Sequence, residues 1–90
     1  MHTINIIINH QAGLHARPAA LFFKEAIKFH SKIRVTRVKT GKEVDAKSVV
    51  AILTLGVMGG EEIMLKADGV DETDALDALR YLIESNFGEV

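Results

Sequence analysis

The chain has 90 residues, 48 % of them hydrophobic, with no cysteine and a formal net charge of −1. That length suffices for one core, so residues 1–90 read as a single domain near the small end of what folds unaided. Without cysteine there are no disulfides and no thiolate metal sites, and stability has to come from packing.

Residues Met1 to Asn9 are apolar too briefly for a secretory core or a membrane span. Ile4, Ile6 and Ile8 alternate there with Thr3, Asn5 and Asn9, which predicts a strand with one buried face. A soluble, cytoplasmic protein is the expectation.

The next run, Gly13-Leu14-His15-Ala16-Arg17-Pro18-Ala19, carries the chemistry. Pro18 lacks an amide donor, which is harmless only in a first helical turn. His15 therefore falls at about the N-cap, facing free backbone N–H groups and the positive end of the helix dipole. Such an end suits a phosphoryl group, and Arg17 adds a planar donor fork that matches phosphate oxygens. The dipole also disfavours imidazolium, so the ring is expected to stay neutral and nucleophilic near pH 7. A lone histidine near a helix start is more often a surface residue. Gly13, Arg17 and Pro18 beside it each answer a separate need of a phosphate-carrying histidine.

Helix one is predicted from about Ala16 to Phe29, with Pro18, Phe22, Ala26 and Phe29 in one apolar row widened by Ala19, Phe23 and Ile27. A second strand follows over about Lys32 to Val38, with Ile33, Val35 and Val38 inward. Lys39-Thr40-Gly41-Lys42 reads as a turn, and Glu43 to Asp45 as a short strand. Helix two spans about Val49 to Leu55, with Ser48 as N-cap and Gly56 at C′. Glu62 to Ala67 forms another strand. Helix three starts near Asp71, read as its cap, and carries Ala75, Leu79, Leu82 and Asn86 beside Leu76 and Ile83.

The element order β-α-β-β-α-β-α leaves no room for two helical layers, which points to an open-faced α+β sandwich. Helix two is apolar nearly all round and cannot bury every side chain. Val50 and Leu53 are expected outside, joining Ala16, Ala20 and Ile27 in an apolar patch around His15.

Charge is unevenly spread. Residues 1–47 carry a balance of +6 and residues 48–90 one of −7. The basic residues are scattered, without aromatic interleaving or a finger motif, so nucleic-acid binding is not expected. Lys24, Lys28 and Lys47 are better placed to steer an acidic protein partner towards His15. The other histidines are weaker candidates: His2 and His30 read as surface residues, and His10, in the loop leading to Gly13, has at most a secondary role in shaping the site. None has metal-ligand spacing, so neither a metal nor another cofactor is expected. A Gly-rich nucleotide cradle is also missing.

The run Gly13 to Ala19 resembles the active-site signature of HPr, the histidine-containing phosphocarrier of the phosphoenolpyruvate-dependent phosphotransferase system. The likeness continues through Ala46-Lys47-Ser48-Val49, Leu53-Thr54-Leu55-Gly56, Gly60-Glu61-Glu62-Ile63 and Gly69-Val70-Asp71-Glu72. The resemblance implies four antiparallel strands with three helices on one face. It also implies a carrier, not an enzyme, that takes a phosphoryl group on His15 Nδ1 from enzyme I and passes it to A-type enzyme II components. Arg17 would stabilise the phosphate. Ala16, Ala20, Lys24, Ile27, Lys47, Val49, Val50 and Leu53 would form the partner surface of a monomer without membrane insertion.

Ser48 matches a serine that HPr kinase/phosphorylase modifies in some family members. Here Val49-Val50-Ala51 stands where Ile-Met-Gly is typical, which weakens the case for regulation at Ser48. Ala12 replaces a frequent small polar residue, removing one side-chain donor to the phosphate. The turn near Gly41, the run Ser48 to Leu53 and the Asn86-Phe87 ending look like the nitrogen-regulatory branch, in which sugar transport does not follow. A small acyl-phosphate hydrolase or a binding-only regulatory module on the same fold are the rival readings. A hydrolase would also need a residue that orients water, and the sequence near Arg17 offers His15 instead.

Overall fold

The computed structural model describes residues 1–89. Its elements are β1 (His2–Ile7), α1 (Ala16–Ala26), β2 (Lys32–Arg37), β3 (Lys42–Asp45), α2 (Val49–Thr54), β4 (Glu62–Asp68) and α3 (Glu72–Glu84), then a short 3₁₀ turn over Asn86–Gly88. The four strands form one antiparallel sheet in the order β1-β4-β2-β3. All three helices pack on one face and the other is open, as the element order implies.

The period-two pattern explains which face is covered. Ile33, Val35, Ile63, Leu65 and Ala67 alternate inward and are fully buried, as is Ile8 just past β1. From above, Ala19, Phe22 and Ala26 of α1 and Ala75, Leu79 and Ile83 of α3 complete the core. On the open face Glu43 bridges Arg34 at 3.1 Å and Lys66 at 3.4 Å, which keeps that surface charged and wet.

Several boundaries differ from the expectation. Regular helix in α1 stops at Ala26, and Ile27 to Phe29 continue as turns whose amides reach Phe23, Glu25 and Ala26 carbonyls. Val38 is 46 % exposed, because the strand has ended at Arg37 and the chain turns into the Thr40-Gly41 loop. Asp71 stands at the start of α3 without capping it. Its carboxylate instead accepts from the His30 amide, the Ser31 amide and the Ser31 hydroxyl, tying the α1–β2 connection to the foot of α3. Asn86 is not on α3. With Phe87 it takes a left-handed backbone, φ +56° and +58°, and Phe87 is buried.

Candidate functional site

The loop that delivers His15 is fixed by backbone before any side chain acts. Gly13 has φ +73°, donates to the His10 carbonyl at 2.9 Å, and hands on to Leu14, whose amide donates to the Val57 carbonyl at 3.0 Å. A Cβ at Gly13 would run into the Val57 carbonyl oxygen and lie 2.8 Å from Met58 Cα. Leu14 is buried, so the next residue is forced outward.

That residue is His15. It is exposed, extended (φ −139°, ψ 159°) and stands at the N-cap of α1, with no side chain capping the helix. The first-turn amides are left for an incoming anion. Ala16 follows at φ +48°, a left-handed conformation unusual for a residue with a side chain. Pro18 is buried in the first turn.

Arg17 lies beside His15 in sequence and is 71 % exposed, with Nε 3.9 Å from Glu89 Oε2. That same oxygen accepts from His10 Nε2 at 2.9 Å. His10 is more engaged than the sequence indicates. Its ring accepts from the Ala12 amide through Nδ1 at 3.1 Å and meets Phe87 edge-on, with ring centroids 5.8 Å apart. Glu89 itself was missed, since no local pattern marks it.

A shallow depression of ≈ 250 Å³ opens beside the ring, lined by Ala12, Leu14, His15, Gly56, Val57 and Met58. Ile27 (51 %), Val50 (69 %) and Leu53 (37 %) are exposed as expected, and so is Met58 (64 %) from the lining of the depression. Val49, Ala20 and Lys47 are half-buried and Lys24 is exposed. Lys47 is not free, because its ammonium donates to the Phe29 carbonyl at 2.6 Å and holds the end of α1. Lys28, in the turn after α1, pairs with Glu25 of that helix. Ser48 caps α2, its hydroxyl accepting from the Ala51 amide at 3.2 Å. His2 lies far from this group, on Glu72.

The segment that walls the site is held from below. Arg37 reaches the Leu55 carbonyl and grips both oxygens of Glu61, which also accepts from the Met58 amide. The Arg37 guanidinium, with the Met58 amide, holds the Glu61 carboxyl down to about 2.

An exposed histidine at an uncapped helix start, with arginine next to it, is a geometry for carrying phosphate. Comparison with known proteins agrees. Residues 2–85 match the family model of the PTS HPr component phosphorylation site. The chain belongs to the HPr family. It is 36 % identical over 86 residues to phosphocarrier protein HPr of Mycoplasma genitalium, covering 96 % of this chain and 97 % of that one. Its identity with the HPr of Cupriavidus necator is 42 % over 83 residues, covering 92 % and 90 %. The crystal structure of an HPr from Thermoanaerobacter tengcongensis superposes with a TM-score of 0.95 at 49 % identity, over 100 % and 99 % of the two chains. The HPr fold, with its open antiparallel sheet, is therefore the fold of this chain.

Proposed function

We propose that the protein relays a phosphoryl group through His15, taking it from the phosphohistidine of enzyme I and giving it to an A-type enzyme II component. The observation that carries this reading is the exposed imidazole at the uncapped start of α1, followed by Arg17. In the first step His15 Nδ1 attacks phosphorus as the donor's N–P bond breaks; in the second the acceptor's nucleophile attacks phosphorus as the His15 N–P bond breaks. The chain supplies position and charge stabilisation and no further covalent chemistry. First-turn amides and the Arg17 guanidinium are assigned to the phosphoryl oxygens, and the carrier is read as a substrate of its partners.

Docking is assigned to the exposed apolar residues around the ring, Ile27, Val50, Leu53 and Met58, with Lys24 at the edge. Exposed apolar side chains mark a transient interface where they gather near a reacting atom. The working form is read as a cytoplasmic monomer. No helix among the described residues is long and apolar enough to cross a membrane.

The test is to incubate wild type and His15→Ala with enzyme I, Mg²⁺ and phosphoenolpyruvate, then measure intact mass at alkaline pH. One acid-labile phosphoryl group on wild type and none on the variant is the expected result. An unlabelled wild type, beside an enzyme I shown to be active on another carrier, overturns the reading.

A further inference from the structure

His10 engages partners through both ring nitrogens and one ring edge. Nδ1 accepts from the Ala12 amide, so the neutral ring carries its proton on Nε2 and donates it to Glu89. The ring edge rests against Phe87, which is 2 % exposed. His10 thereby joins the loop that presents His15 to the far end of the chain. That end is itself strained. Two successive non-glycine residues, Asn86 and Phe87, hold left-handed backbone, a conformation that persists only where its surroundings impose it. What this arrangement delivers is a carboxylate 3.9 Å from Arg17, the one arginine next to the phosphoacceptor.

We infer that His10 is a positioning residue: it holds Glu89 beside Arg17 as an internal anion, which a phosphoryl group on His15 displaces. The inference rests on the carrier reading of His15. Its physical content is competition. An arginine already facing a carboxylate gains less from phosphate than a free one, because a ligand shifts an equilibrium only by its differential interaction with the two states. A carrier has to give up its group as readily as it takes it, and an internal competitor brings the two states closer in free energy.

Glu89 is more than a third exposed, so Glu89→Gln removes the charge without disturbing the core. His10→Asn separates two roles. It keeps a side-chain acceptor for the Ala12 amide, as in an Asx-turn, but is too short to reach Glu89. Wild type, both single variants and the double variant are titrated with inorganic phosphate while the His15 ring and Arg17 side-chain NMR signals are followed.

The expected result is about two- to fivefold tighter phosphate binding in each single variant, with the double variant no tighter than either. Unchanged or weaker binding in Glu89→Gln overturns the inference. So does His10→Asn behaving as wild type, which would confine His10 to shaping its own loop, or no saturable binding in any of the four proteins. Inorganic phosphate needs no partner enzyme. Failure of the carrier reading therefore shows in the labelling experiment, and failure of this one in the titration.

Discussion

Arg37 and Glu61 meet side-on under the segment that walls the depression beside His15, Nε to Oε1 at 2.8 Å and Nη2 to Oε2 at 2.7 Å. The two-pronged geometry fixes both planes, and the third contact, from the Met58 amide, transmits that rigidity to the lining of the depression beside His15. We expect Glu61→Gln to lower the melting temperature at pH 7 and to broaden the backbone signals of 56–60 in NMR spectra. A variant that melts as wild type would remove this pair from the account of the site.

The pH dependence of stability follows from three carboxyls. Glu61 is held down to about 2 by Arg37, Asp71 by the Ser31 hydroxyl and the His30 amide, and Glu72 by His2 and the Gly69 amide. A carboxyl depressed in the folded state contributes stability above its unfolded pKa and loses it as pH falls towards the folded one. Stability is therefore expected to fall as pH drops from about 4.5 to about 2. Circular dichroism melts across that window check this, and Glu61→Gln or Asp71→Asn should each make the slope shallower.

Gly13 and Gly41 share a left-handed backbone but not a neighbourhood. A Cβ at Gly41 meets nothing within 4 Å, whereas one at Gly13 strikes the Val57 carbonyl. Gly41→Ala is expected to cost about 1–2 kcal/mol from the backbone alone, and Gly13→Ala about 2–4 kcal/mol with slowed phosphoryl acceptance. Urea unfolding of the two variants gives the comparison.

Ala16 inverts the usual helix rule. Replacing alanine by glycine inside a helix costs about 1 kcal/mol, but at φ +48° the alanine Cβ is itself the source of strain. Ala16→Gly is expected to be neutral or stabilising by up to about 1 kcal/mol, against a loss of about 1 kcal/mol for Ala78→Gly in α3.

Ser48→Ala removes the acceptor for the Ala51 amide and is expected to cost about 1 kcal/mol. Ser48→Asp restores an acceptor and adds charge at the helix start, so it should recover most of that loss. An unchanged unfolding midpoint in Ser48→Ala would mean that the cap contributes nothing.

The sheet and the exposed position of His15 at the start of α1 are legible because their signals are local. Ile33-Val35 and Ile63-Leu65 alternate with polar neighbours, and His15, Arg17 and Pro18 lie within four residues. What sequence reading missed is carried by distance along the chain. His10 and Glu89 are 79 residues apart, and Arg37 and Glu61 are 24 apart, so no window of periodicity contains either pair. Asp71 was read as a cap because it precedes a helix, yet three donors around His30 and Ser31 outcompete that role. Asn86 was placed on α3 because neither it nor Phe87 is glycine, the residue that normally announces a left-handed turn. Val38 was set inward by alternation that the following turn interrupts.

The clasp between His10 and Glu89 also gives the site a history. Its acidic half lies near the end of the described chain, so a nascent polypeptide leaving the ribosome carries His15 long before it carries Glu89. Until then Arg17 lacks that carboxylate, and His10 Nε2 lacks its partner. A fragment that stops short of residue 89 carries His15 without the carboxylate that lies 3.9 Å from Arg17.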